Sequence, residues 1–201
     1  MTKRTAPRPR LRARAVVSMG LAGAVLGTAW DRMHVAAGTL GYPHAAHGQP
    51  WWVPVEFGLV FVAIPLGIVA FGDPLPDRRS AARAGGELGW FTMVYALSAF
   101  LWRSPLVCTA VLAGLLLARA GALQRTGGAN RIPAALLVAG GPAVEASLVA
   151  ANLFAYSGRT PVLSIPVWLP VLYMHAVPLA VRATEAALWL GGVRTPRAEN
   201  S

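Results

Sequence analysis

Trp51 to Phe71 reads WWVPVEFGLVFVAIPLGIVAF, and Glu56 is its only charged residue. An α-helix crosses the hydrocarbon core of a bilayer in about 20 mostly apolar residues, and this run supplies them. Five more apolar runs flank it: Ala15 to about Met33, Glu87 to Trp102, Pro105 to Leu123, Ile132 to Tyr156, and Leu163 to Leu190. The last is long enough to tilt or kink. Only Arg103 and Ser104 separate the third and fourth runs, which predicts a tight hairpin. The chain as a whole agrees. Its 201 residues are 55% hydrophobic and 13% charged, with a mean hydropathy of +0.51, whereas soluble domains carry about 25% charged residues. An ordinary soluble domain and a disordered chain are both excluded. The expected fold is all-α: a polytopic membrane bundle of six transmembrane helices.

The basic residues test that count. With the N-terminus in the cytoplasm, the inner segments carry Lys3, Arg4, Arg8, Arg10, Arg12 and Arg14, then Arg78, Arg79 and Arg83, then Arg119, Arg125 and Arg131, then Arg182, Arg194 and Arg197. The outer segments carry Arg32, Arg103 and Arg159. Fifteen against three is the asymmetry of the positive-inside rule, so both termini are expected to be cytoplasmic. The expected organisation is a basic tail over 1–14, a transmembrane domain over 15–190 and a short tail over 191–201. The basic start and the apolar run from Ala15 to Ala29 resemble a signal peptide, but no small-x-small site leads into a polar mature start. A retained helix is expected. A net charge of +10 invites a nucleic-acid reading. It fails, because the cations fall in short clusters between apolar runs and form no phosphate-tracking stripe. Seventeen of the 18 cations are Arg, a bias of high-GC bacterial genes, and the expected location is the bacterial plasma membrane. Cys108 is the only cysteine, so neither an intrachain disulfide nor a CxxC pair is possible.

Ionisable groups inside spans carry most of the functional information, since each costs roughly 2.5–3.5 kcal/mol at mid-helix on insertion scales. Asp31 ends the first span, Glu56 lies one turn into the second, and Glu145 lies near the middle of the fifth, with Asn152 seven residues on. His175 lies in mid-span six, seven residues after Trp168. These groups are expected either to form a polar wall that orients a lipid head or to join helices as a structural network. Trp51, Trp52, Trp102, Trp168 and Trp189 lie near span ends, as interfacial belts do.

Gly20, Gly23 and Gly27 give the first span a small-residue face for close helix packing. Pro54 and Pro65 in span two, Pro142 in span five, and Pro166, Pro170 and Pro178 in span six predict kinks, each freeing a carbonyl four residues earlier. Interrupted helices of this kind suit either a bundle with an interior pocket or one with plain kinks. The outer segment from Val35 to Pro50 reads as irregular. His34, just before it, and His44 and His47 within it lie close to Asp31, but no fourth ligand is compelling, so no metal and no cofactor are expected. No GxSxG, HExxH, phosphate-cradling glycine loop or Asp-rich prenyl-phosphate motif is present. The remaining catalytic option is an acid–base pair of Glu145 and His175.

Three stretches carry a family resemblance. Trp51-Trp52-Val53-Pro54 with Gly58 forms a WWVP-x-x-x-G run, Tyr95 to Trp102 reads YALSAFLW, and Trp168-Leu169-Pro170 lies within VWLPVLY, after Asn152, Phe154, Tyr156 and Pro161. In these the chain resembles the insulin-induced gene (Insig) family from about Gly48 to Arg182. The resemblance implies six spans with both ends cytoplasmic. Animal members lie in the endoplasmic reticulum, bind oxysterols among their helices and retain a sterol-sensing escort protein and a sterol-synthesis reductase. Bacterial relatives form homotrimers and hold a diacylglycerol-like lipid in a central cavity. This chain departs from the animal pattern. It has Arg103-Ser104-Pro105 where animal members carry an Asp-Arg pair for partner binding, its loops are shorter, and Glu56 replaces a small or sulfur-bearing residue. Lipid binding is the property carried over; partner retention is not.

The expected function is therefore non-catalytic binding of a neutral, diacylglycerol-like or sterol-like lipid in an intramembrane cavity by a homotrimer. The candidate lipid-binding residues are Asp31, Trp52, Glu56, Glu145, Asn152, Trp168 and His175. The alternatives are a lipid-modifying enzyme using Glu145 and His175, and a proton-coupled transporter using the same groups as a relay.

Overall fold

The computed structural model describes residues 10–45, 48–75, 79–121, 130–158, 160 and 163–193. Lys3, Arg4, Arg8, His47, Arg78, Arg125, Arg159, Pro161, Arg194 and Arg197 lie outside the described residues, as does most of both tails. Six helices are present among the described residues: α1 Ala13–Ala37, α2 Val53–Phe71, α3 Ser80–Leu101, α4 Pro105–Ala118, α5 Arg131–Ala150 and α6 Leu169–Leu190. The all-α reading holds, and each helix overlaps one of the six apolar runs.

By length and composition α1, α2 and α5 can each cross a bilayer, and α4 is apolar but shorter. The polar residues of α3 and α6 have structural reasons. Arg83 and Glu87 sit in the first turns of α3, and Arg182 and Glu185 near the end of α6. Helix α6 packs on α3, α5, α2 and α4, so half of it is shielded from lipid, including Leu172, His175, Val181 and Thr184. A helix surrounded by protein has no need of an apolar surface all round. Lipid-exposed faces lie elsewhere, as at Leu21, Val25, Leu59, Phe100 and Leu106.

The small-residue face of α1 is occupied within the chain. Helix α1 packs most extensively on α2. A Cβ at Gly23 would collide with Phe61 and one at Gly27 with Phe57, while one at Gly58 would come 3.2 Å from the Gly20 carbonyl oxygen. Apolar burial gives little driving force where lipid is the solvent, so such van der Waals fit holds the hairpin together. Helix α1 ends at Gly38, whose left-handed φ of 73° lets its N–H reach the carbonyls of His34 and Val35.

Several expected boundaries move. Pro54 and Pro170 occupy the first turns of α2 and α6, and Pro166 precedes α6, so these three start helices and do not break them. A first-turn proline lacks only an N–H that has no helical partner anyway. Pro65, Pro142 and Pro178 are interior and buried, and the helices continue through them. Helix α3 begins at Ser80 and not near Glu87, because a helix can run past the membrane into polar sequence that hydropathy does not register. Helix α5 stops at Ala150. Asn152 there turns left-handed at φ 58°, which Asn tolerates, and the Leu153 N–H closes on the Leu148 carbonyl. The segment read as irregular contributes an ordered element: β1 (Leu40–Gly41) pairs antiparallel with β2 (Ala155–Tyr156), Leu40 opposite Tyr156 and Gly41 opposite Ala155. The Ser157 N–H extends this ribbon to the Thr39 carbonyl at 2.8 Å. It fixes the C-terminal end of α1 to the segment after α5.

Candidate functional site

The ribbon carries Tyr156 to the end of the bundle that holds the α1–α2 and α5–α6 connections, where carboxyl groups from three helices come within electrostatic reach of one another. Asp31 comes from the end of α1, Glu56 from the first turn of α2 and Glu145 from α5. Glu56 lies within electrostatic reach of both Glu145 and Asp31. Like charges are brought together here, so the donors supplied to each matter.

Glu145 receives the phenol of Tyr156 on one oxygen and that of Tyr173, at 2.6 Å, on the other. Tyr173 gets this close because Gly141 leaves room for its ring; a Cβ at that position would overlap it. Asp31 is 4% exposed, and its Oδ2 accepts from the Tyr42 phenol at 2.9 Å and the Gln49 amide at 2.6 Å. Gln49 also donates to the Thr28 carbonyl at 3.2 Å, fixing the loop over the end of α1. Burial, reinforced by the neighbouring Asp31 carboxylate, pushes the Tyr42 hydroxyl far above the ordinary phenol range, so it stays a donor. Tyr95 stacks on His34 at 4.2 Å and lies within electrostatic reach of all three acids. The chain has four tyrosines, and all four converge here.

Glu56 differs. It is half-buried, and no described residue donates a hydrogen bond to it. Two of the three acids are satisfied by fixed phenol and amide donors, and the third is an open acceptor beside them.

The other expected site residues lie elsewhere. His175 is 2% exposed, with both ring nitrogens engaged. The Trp90 indole N–H, which can only donate, reaches Nδ1 at 3.2 Å, and the Leu112 carbonyl, which can only accept, faces Nε2 at 3.0 Å. These partners assign the neutral Nε2–H tautomer and join α3, α4 and α6. Beside this junction the Arg119 guanidinium lies 4.4 Å over the Trp90 ring and pairs with Glu87 at 2.6 Å. His175 and Glu145 are thus saturated by different partners and do not form the acid–base pair considered above. Trp168 is 1% exposed and packs edge-on to His34 and Tyr156, walling the site from behind. Asn152 is exposed at the end of α5, with its amide 3.3 Å from His44 Nε2. Trp52 caps α2 and meets Tyr42 edge-on at 5.6 Å. His34 is buried in α1 and contacts Ser98 at 2.9 Å, apart from His44. No group of three metal-ligating side chains occurs among the described residues.

The sequence reading missed Tyr42, Gln49, Tyr95 and Tyr173 as site residues. A signal was available: a buried acid needs donors, and phenols are the donors that also suit an apolar interior.

Two solved structures share this fold. A mycobacterial Insig homologue, MvINS from Mycobacterium vanbaalenii, aligns with a TM-score of 0.73 and 26% identity over 89% of this chain and 96% of that one. A cross-linked trimer of an arginine-to-cysteine variant of MvINS aligns with a TM-score of 0.72 and 28% identity over the same shares. No protein-family model matches the chain, and no curated protein matches it in sequence. In fold the chain is similar to this bacterial Insig homologue, in agreement with the resemblance carried by its WWVP-x-x-x-G and WLP runs.

Proposed function

We propose that this Insig-like chain is a non-catalytic membrane protein that holds a neutral, diacylglycerol-like lipid between its helices, with the lipid's polar end among Asp31, Glu56 and Glu145. The observation that supports this most is Glu56, a half-buried acceptor near two satisfied acids and without a donor among the described residues. A free hydroxyl on a diglyceride, or on a sterol, supplies one donor without adding charge, which suits a site already rich in carboxylates. A phospholipid phosphate would add repulsion there. Trp52 and Trp168 serve as apolar walls in this reading, and His175 supports them from the junction of α3, α4 and α6. An acid–base enzyme is disfavoured because both nitrogens of His175 are already engaged.

MvINS has been crystallised as a cross-linked trimer; we extend a homotrimer to this chain, in the bacterial plasma membrane with both termini inside. The test is purification in a maltoside detergent followed by mass spectrometry of the extracted lipid. About one neutral hydroxyl-bearing lipid per chain is expected, with most of it lost in Glu56→Leu. Recovery of no stoichiometric lipid from a folded protein, or full retention by Glu56→Leu, would overturn the reading.

A further inference from the structure

A cavity lies beside the loop before α2, and Glu145 is not among its lining residues. Its volume is about 170 Å³, and it is lined by Tyr42, His44, Ala45, Trp51, Trp52 and Leu153, with Pro50 between the two elements. At about 30 Å³ per water, it has room for a guest of roughly five or six heavy atoms.

Three of the lining residues are aromatic, and no Lys or Arg is among them. Tyr42 and Trp52 stand edge to face, centroids 5.6 Å apart at 78°, so two ring planes meet at nearly a right angle. Trp51 forms part of the wall and is 83% exposed, so its ring face is open to a guest. His44 stands at the edge of the wall, its Nε2 3.3 Å from the Asn152 amide. Behind the wall lie two acids: the Tyr42 hydroxyl donates to Asp31 at 2.9 Å, and Glu56 lies within electrostatic reach of Tyr42. Aromatic faces at right angles, a lining without Lys or Arg, and two acids behind them are the conditions under which the negative faces of rings attract an organic cation. An anionic guest would meet the same carboxylates as repulsion, and a purely apolar one would leave them unused.

We propose that this cavity binds a small organic ammonium group, such as a quaternary trimethylammonium, between Tyr42, Trp51 and Trp52. The ligand is either a free cation or the head of a zwitterionic lipid in the outer leaflet; the chemistry is the same. The site does not rest on the lipid reading above: Trp52, Asp31 and Glu56 are common to both, but the first test variant is at Trp51, which that reading does not involve.

The experiment is tryptophan-fluorescence and calorimetric titration of the full chain in a maltoside micelle. Choline is compared with 3,3-dimethylbutanol, its uncharged counterpart of similar shape. In a second arm, a short-chain phosphocholine lipid is compared with the matched phosphoglycerol lipid. Saturable choline binding, at least about tenfold tighter than the neutral compound, is expected. Trp51→Leu is expected to weaken it about fivefold or more, within the range of a cation–π contact. The exposed position of Trp51 means the thermal midpoint should hold, and Trp52→Leu provides a second variant. Saturation by choline identifies a free cation. Saturation only by the phosphocholine lipid, in preference to phosphoglycerol, identifies a lipid head. Equal binding of charged and neutral compounds, no preference in either arm, or tight binding that survives both tryptophan substitutions would overturn the proposal.

Discussion

Glu145 and its two phenols allow a prediction whose sign changes with the number of substitutions. Tyr173→Phe removes a 2.6 Å donor from the carboxylate and leaves the ring in place over Gly141. A hydrogen bond to a charged group contributes about 1.5–3 kcal/mol. Adding Tyr156→Phe deprives Glu145 of both donors, and stripping a buried charge of its partners destabilises by about 3–5 kcal/mol. For a domain of this length each kcal/mol corresponds to roughly 2–4 °C in the midpoint, so the double variant should unfold at least about 6 °C lower. Glu145→Leu placed in that double variant should then raise the midpoint, to within about 1 kcal/mol of the parent, because removing every polar member of a buried network is nearly neutral. The assay is thermal unfolding in maltoside followed by tryptophan fluorescence, with the four proteins compared as a cycle. A triple variant no more stable than the double, or single variants indistinguishable from the parent, would refute the claim that the phenols solvate this carboxylate.

Other outcomes follow from separate features. Gly27→Val should lower the midpoint by at least as much as an overpacked core substitution, about 1–3 kcal/mol, because the new methyls enter the Phe57 ring. The same substitution should leave oligomer size by light scattering unchanged, since that face meets α2. Trp90→Phe removes the donor to His175 Nδ1 and should cost about 1–3 kcal/mol, read by the same unfolding assay, with lipid content unaffected. Asn152→Gly should be close to neutral and Asn152→Val clearly destabilising, since only the latter resists a φ of 58°. In a Cys108→Ser background, Ser104→Cys should react with an impermeant thiol reagent added to right-side-out vesicles, and Ala120→Cys should react only after permeabilisation. The reverse pattern would invert the proposed orientation.

The helices were legible because hydropathy reports them directly: the Trp51–Phe71 run became α2 almost to the residue, and the Arg103-Ser104 hairpin fell between α3 and α4. Their ends were less legible. Ser80 to Gly86 is polar enough to read as a loop, and only the hydrogen-bonded helix shows that it continues α3. The proline reading failed at Pro54, Pro166 and Pro170 for a related reason, since a proline's effect depends on its place in the helix, which apolar runs leave uncertain by several residues. For the candidate site, the intramembrane acids were legible as a signal, and the fold brings Asp31, Glu56 and Glu145 within electrostatic reach of one another. Depth along a span cannot show rotation about it, however, and rotation is what turns His175 toward Trp90 and Leu112 and away from Glu145. The ribbon was invisible because two-residue strands have no period to detect.

The burial of α6 among four other helices bears on how the chain enters the bilayer. Helix α6 follows α1 to α5 in chain order, and with His175, Arg182 and Glu185 it is poorly suited to lipid on its own. The α1–α2 hairpin, with its glycines already filled by Phe57 and Phe61, can leave the translocon as a finished unit. Helix α6 gains by waiting until α3 and α5 are beside it. A ribosome stalled just after α5 would therefore expose a groove on α3 where the last helix belongs, and chains held at that point should be the ones membrane quality control removes.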